Sequence, residues 1–214
     1  MKIVVFGESN IGQGLKKYFS EVSIIPKEIC DIRYVNQILM VLNRYSPDVI
    51  INCAGVSNIQ PIKNSSIEKW REEMEVNLFG SYLIAQASIN FNPKIKMIFL
   101  ASVAGLYGKP NHSGYSSSKS ALITLVQSLG MEGYDAFSIS PGRVDTKMRE
   151  KDFPGEDKRT RLSVDQVAKV IKKCISGKFE PGDNIIIRKK GFETFLRIDS
   201  GQPWREYLNL QKNS

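Results

Sequence analysis

The chain has few of the residues that staple small folds or bind metals. Its 214 residues include one histidine and three cysteines, Cys30, Cys53 and Cys174. The cysteines lie far apart, without Cys-x-x-Cys or Cys/His spacing, so neither a disulfide framework nor a metal site is expected. An odd number of unpatterned thiols suits reduced cysteines in the cytoplasm. Long apolar runs are missing too. No stretch approaches the ~18 apolar residues of a membrane helix, and the apolar run before Gly7 is too short for a signal-peptide core, so a cytoplasmic protein away from membranes is expected. Internal repeats and low-complexity segments are absent. What is present is a chain of one-domain length with 42% hydrophobic residues, enough for a substantial core. Its net charge of +8 suits an anionic partner such as a nucleotide, a phosphorylated substrate or a nucleic acid. Nucleic-acid binding lacks aromatic interleaving and a known module. The basic residues are scattered and thicken only over 147–173 and 188–190, as a solvated surface also would.

The apolar residues come in short continuous runs. Lys2–Phe6, Val22–Ile25, Val49–Ile51, Ile95–Leu100, Ala136–Ile139 and Asn184–Ile187 read as strands. Helical spacing recurs between them over Leu15–Ser20, Val35–Tyr45, Ile67–Ala87, Tyr115–Leu129 and Val164–Ile175. Strands that are apolar throughout, alternating with helices, predict a three-layer α/β/α fold: a doubly wound parallel sheet of six to seven strands covered on both faces. Residues 1–190 are expected to form this one domain. The tail, 191–214, carries scattered aromatics without a pattern and is expected to pack on the domain or extend from it. The charged stretch from Arg143 to Arg161 reads as a surface excursion or lid.

Ligands of such sheets bind beyond the C-terminal strand ends. Gly7, Asn52, Ser102 and Pro141 each fall at such an end. Gly7-Glu-Ser9-Asn10-Ile11-Gly12-Gln-Gly14 links a strand to a helix and would either present backbone N–H groups to a phosphate or serve only as a tight turn. Asn52-Cys-Ala54-Gly55 would let a backbone approach a flat ligand or permit a sharp bend. Asn77 and Gly80 lie inside a predicted helix, where Asn is unfavourable unless its side chain bonds elsewhere. Tyr115 and Lys119 are four residues apart on one helical face. A lysine ammonium beside a phenol lowers the phenol's pKa from about 10 toward neutrality, where it can exchange a proton with a carbonyl oxygen. Alone, that pair is common on solvated helices.

With Asn-Cys-Ala-Gly (52–55), Val-Asn-Leu-Phe-Gly (76–80), Ser102, Tyr115-x-x-x-Lys119 and Pro141-Gly142-Arg-Val144-Asp-Thr146 in this order, the chain resembles the short-chain dehydrogenase/reductase family from Lys2 to about Ile187. The resemblance implies a Rossmann fold, a nicotinamide cofactor and hydride exchange with a small carbonyl or alcohol substrate. Tyr115 would be the acid/base, Lys119 would lower its pKa and bond the nicotinamide ribose, Ser102 would orient the substrate oxygen, and Asn77 would hold a water in a proton relay. The glycine turn would cradle the pyrophosphate, Asn52, Ala54 and Gly55 would line the adenosine side, Asp31 would meet adenine, and Val144 and Thr146 would hold the carboxamide. Three departures accompany it. The distance from Gly7 to Gly12 is one residue shorter than the family's first-to-third glycine, with Asn10 where the middle one falls. Between Val22 and Asp31 there is room for one strand instead of two, leaving the sheet a strand short and the adenine end open. Lys27 stands where members preferring NAD place an acid, which favours NADP(H) over NAD(H). The helix after Tyr115 ends at Gly130, so the family's helical dimer interface carries over only in part, and a homo-oligomer stays open. The basic lid residues Lys147, Arg149, Lys151, Lys158, Arg159 and Arg161 could recognise an anionic or nucleotide-linked substrate, or form a mobile solvated loop. An alternative on the same fold is a non-catalytic dinucleotide-binding or sensing protein.

Overall fold

The structure, a computed structural model, describes residues 1–190 and 193–199. Strands β1 (Ile3–Phe6), β2 (Val22–Ile25), β3 (Val49–Asn52), β4 (Lys96–Leu100), β5 (Ala136–Pro141), β6 (Asn184–Lys190) and β7 (Glu193–Asp199) form one sheet in the order β2-β1-β3-β4-β5-β6-β7. All neighbours run parallel except β6 and β7, which pair antiparallel. Each strand's apolar run feeds two cores, because successive side chains point to opposite faces. Val4, Phe6, Ile50, Met97 and Phe99 face one layer and Ile3, Val5, Ile51, Ile98 and Leu100 the other.

The first layer is closed by α2 (Val35–Tyr45), α4 (Gly80–Phe91) and α5 (Ser113–Met131), through Ile38, Leu42, Ile84, Leu122 and Val126. The second is closed by α1 (Asn10–Leu15) and α7 (Val164–Ile175), through Leu15, Val167, Ile171 and Cys174. Ser163 starts α7 with a full capping box to Gln166. Gly14 lets α1 lie against α7, since a Cβ there would come within 2.5 Å of Val164. Among the described residues no helix is long and apolar enough to cross a membrane.

Several elements differ from the sequence reading. The first helix is not Leu15–Ser20 but Asn10–Leu15, started by the Ser9 side chain, which accepts from the Gly12 N–H. The long helix expected from Ile67 is α3 (Ile67–Met74) joined to α4 through a π turn, Glu75–Phe79. Strand β6 runs on to Lys190 and receives β7 from the tail, where no pattern was legible; Phe192 and everything from residue 200 onward, including Trp204 and Tyr207, lie outside the described residues. The charged excursion holds α6 (Lys147–Asp152) and a 3-10 turn, Lys158–Thr160. As anticipated from the short Val22–Asp31 interval, β2 is the edge, and no strand lies beyond it among the described residues.

Candidate active site

The chain turns outward from β1 to β2 and then to the other side from β3 onward, and a cleft of about 970 Å³ opens along the C-terminal strand ends at this reversal. Gly7 forms its floor with φ of +90°, and a Cβ there would lie 2.7 Å from the Ala54 backbone, so the turn after β1 and the segment after β3 can touch only at glycine. Ser9, Asn10 and Ile11 line the cleft. Gly12 does not; it packs behind them against Val5. The Asn10 side-chain oxygen accepts the Lys147 N–H at 3.1 Å and so ties the glycine turn to the start of α6.

Behind the segment after β3 runs a buried polar chain. The Asn52 amide donates to Ser81 (2.9 Å), the Ser81 hydroxyl donates to the Asn77 carbonyl (2.8 Å), and the Asn52 oxygen accepts the Ala54 N–H (3.0 Å). Asn77 sits in the π turn, which aims its side chain out of the helix. Its amide clamps Val56 from both sides, accepting the N–H at 2.8 Å and donating to the C=O at 2.9 Å, and it also donates to Ser118 on α5 at 3.0 Å. Asn77 and Asn52 therefore lie outside the cleft wall and hold Ala54 and Gly55, which form it.

Ser102, Tyr115 and Lys119 meet inside the cleft. The Ser102 oxygen accepts the Ala104 N–H at 3.1 Å, and its hydroxyl lines the cleft together with the Tyr115 phenol. Burial pushes the phenol up, the neighbouring Ser102 hydroxyl opposes this, and the negative charges of Asp152 and Glu73 add to the rise. Lys119 is 4% exposed and donates to the Leu100 carbonyl at 2.8 Å, with its nitrogen 5.8 Å from the centre of the Tyr115 ring. Burial lowers its ammonium to about 8. In this geometry burial dominates both groups, and the phenol lies above its ordinary value. Cys53 also lines the cleft, but burial raises its thiol to about 11, far from the thiolate a nucleophile needs.

Pro141, Gly142, Val144 and Thr146 form the wall after β5, and Thr146 caps α6 by accepting the Arg149 N–H. At the other end, Lys27 and Asp31 line the cleft past β2, joined by Glu28. The Asp31 carboxylate is already held by the Arg33 guanidinium, which keeps it well below the usual carboxylate range. Most of the lid's side chains are exposed, but ion pairs around one buried arginine tie it together. Arg161 has no exposed side-chain surface and donates to Asp145 (3.0 Å), Glu150 (2.6 Å) and Glu156 (3.2 Å), while Arg149 and Arg143 also pair with Glu156, and Arg159 with Asp157. All three arginines expected to read an anionic substrate, Arg149, Arg159 and Arg161, therefore bind the segment's own carboxylates, while Lys147 and Lys151 have no ion pair among the described residues.

Residues 28–157 match the short chain dehydrogenase family. The chain belongs to that family. This short chain dehydrogenase is 33% identical over 131 residues to an uncharacterized oxidoreductase of Staphylococcus epidermidis, covering 58% of the chain but 56% of the relative, so it spans about half the length of the curated relatives it matches. Among solved structures it resembles a 4-hydroxyisoleucine dehydrogenase complexed with NADH (26% identity, TM-score 0.72, 90% of this chain and 98% of that one). It also shares the fold of ElxO with NADP bound (19% identity, TM-score 0.73, 86% and 96%).

Several cleft residues have no signal in the sequence of this short chain dehydrogenase. Tyr107, Lys109 and His112 come from the loop before α5, Phe153 from the end of α6 and Arg188 from β6. The His112 ring stacks on Phe153 at 6.2 Å and meets the Tyr115 ring edge-on at 6.4 Å. Arg188 fell in a basic run at a strand end, which was the one available hint.

Proposed function

We propose that this short chain dehydrogenase binds a nicotinamide dinucleotide and interconverts a carbonyl and an alcohol, with Tyr115 moving the proton. The carrying observation is that Ser102, Tyr115 and Lys119 share one cleft with the Gly7 turn. The cleft's volume lies at the upper end of the ~300–1,000 Å³ typical of cofactor sites, as a dinucleotide with a small substrate requires. The Gly7–Ile11 turn would hold the pyrophosphate, Ala54, Gly55 and Asp31 the adenosine side, and Pro141, Gly142, Val144 and Thr146 the carboxamide end. When bound, the cofactor supplies or accepts the hydride.

The chain's own residues handle the proton. A phenol raised by burial is protonated at neutral pH and so ready to donate to a carbonyl oxygen. Ser102 accepts the Ala104 N–H, and its hydroxyl proton would orient that oxygen and stabilise the charge it gains. Lys119 would set a positive potential beside the phenol and bond the cofactor's ribose. Asn77, with its amide committed to Val56 and Ser118, fixes the cleft wall and the register of α5; its place in a proton relay would run through its backbone carbonyl. Lys27 at the β2 end supports NADP(H) over NAD(H).

Tyr115→Phe tests the reading. Turnover on a panel of ketones and aldehydes is expected to fall at least ~10³-fold, with cofactor affinity, followed by nicotinamide fluorescence, within a factor of a few. Undiminished turnover would remove Tyr115 as the acid/base, and tight cofactor binding without turnover on any carbonyl would favour a binding or sensing protein.

A further inference from the structure

Several arginines of the lid pair with its own carboxylates, whereas two cations from outside the lid meet at one aromatic ring of the cleft. Lys109, on the loop before α5, and Arg188, at the C-terminal end of β6, both approach the Tyr107 ring, with their charged centres 5.7 and 5.2 Å from its centroid. All three line the cleft that holds Tyr115 and Ser102. Neither cation has a carboxylate within ion-pairing distance among the described residues, whereas Arg143, Arg149 and Arg161 share Glu156. Lys189, beside Arg188, also lines the cleft, with its ammonium donating to the Arg161 carbonyl at 3.2 Å. Asp152 also lines the cleft, and its charge acts on Tyr115.

The loop is fixed by its own contacts. The His112 ring bonds the Pro110 carbonyl at 2.7 Å and stacks on Phe153, and the Asn111 carbonyl accepts the Gln60 N–H at 2.9 Å. Two cations on one ring repel each other, and the repulsion is strengthened where water is partly excluded. Burial and the nearby guanidiniums of Arg149, Arg143 and Arg188 push the Lys109 ammonium down, as such crowding requires. An anion placed between the two cations relieves that repulsion.

We propose that Tyr107, Lys109 and Arg188 form a subsite for the anionic group, carboxylate or phosphate, of the carbonyl substrate. The inference rests on the reductase reading for the carbonyl end of the ligand. It identifies the substrate class as a ketone or aldehyde whose far end is a compact anion, with Arg188 offering the planar fork that suits either group and Lys109 a point charge.

The test uses two matched pairs that differ in charge: 4-oxopentanoate with its methyl ester, and dihydroxyacetone phosphate with dihydroxyacetone. The full chain, loaded with whichever nicotinamide dinucleotide it binds, is expected to prefer the charged member of one pair by about tenfold or more in kcat/KM, and the pair that responds distinguishes carboxylate from phosphate. In Lys109→Gln/Arg188→Gln, which retains much of the side-chain bulk, that ratio should collapse toward one. A ratio near one in the wild type, or a ratio that survives the double substitution, overturns the subsite. If no ketone is turned over, the reductase reading fails separately. Calorimetric titration of 4-oxopentanoate and inorganic phosphate into the loaded protein then decides: saturable binding lost in the double variant sustains the subsite, and absence of binding removes it.

Discussion

Lys119 illustrates at single-residue scale how the site opposes the fold. An ammonium lowered from 10.5 to about 8 by burial is less stable in the folded chain than in the unfolded one. Below pH 8 both states are charged and the full penalty applies, about 3 kcal/mol for such a shift. Between about pH 8 and 10.5 the unfolded chain holds the proton more tightly, so the penalty fades as pH rises. Lys119→Met should therefore stabilise the protein at pH 7 by ~1–2 kcal/mol, after ~1 kcal/mol is given back with the lost bond to Leu100. In urea titrations the gain should vanish as the pH approaches about 10 and reverse above it, while turnover falls; a destabilised variant at pH 7 would show that the hydrogen bond outweighs the buried charge. Gly7 and Gly133 separate two other single-residue effects. Both have φ near +90°, but a Cβ at Gly133 meets nothing within 4 Å and one at Gly7 meets the Ala54 backbone at 2.7 Å. Gly133→Ala should lose about 1 kcal/mol, the left-handed strain alone, and Gly7→Ala clearly more, with loss of cofactor binding. Equal losses in denaturant titrations would mean that the Ala54 segment yields.

The lid shows best, at the scale of elements, what could and could not be read in advance. Its cations and carboxylates are plain in the sequence, but which of them pair is decided by the chain folding back so that Leu162 bridges to Val144 and Arg161 enters the interior. No local spacing encodes that return. The π turn is similar. Asn77 was recognisable as a polar residue misplaced in a helix, yet the extra residue per turn is set by the Val56 clamp and by Ser118, forty-one residues away. Strands β1 to β6, by contrast, were legible because a strand buried on both faces must be apolar at every position. Strand β7 was not, since its pairing with β6 is an edge event. If Arg161 organises the lid, Arg161→Met should leave the sheet intact and speed amide exchange over 147–160 by at least ~tenfold. The Arg161 and Arg149 guanidiniums hold Glu150 and Glu156 below the usual 4.5, so this contribution is complete above pH 4.5 and is lost as pH falls through the lowered values. The same segment of the wild type should thus lose protection, measured against the intrinsic exchange rate at each pH, as the solution is acidified, and pH-independent protection would show that apolar contacts hold it.

For the whole molecule, the decisive feature is that one sheet aligns every strand end along one edge. The cleft runs from Lys27 beyond β2 to Arg188 on β6, and the sequence already placed Gly7, Asn52, Ser102 and Pro141 on this edge because parallel strands have no other arrangement. The net charge of +8 favours anionic ligands along its length. With no strand beyond β2 among the described residues, the end of the cleft proposed for the adenosine is open, and cofactor choice would fall to two exposed neighbours of opposite sign, Lys27 and Glu28. A 2′-phosphate placed there would be drawn by the first and repelled by the second, while a free ribose diol would be bonded by the second. Because both side chains are solvated, each effect should be modest, about 1 kcal/mol or roughly fivefold in affinity. Lys27→Ala should lower the NADPH-over-NADH affinity ratio by about that factor and Glu28→Gln should raise it, with added salt shrinking both changes. Movement in these opposite directions would fix the phosphate at the β2 end and the nicotinamide at Tyr115. If neither substitution moves the ratio, the adenosine is held elsewhere, and the orientation assigned to the cofactor along the cleft is wrong.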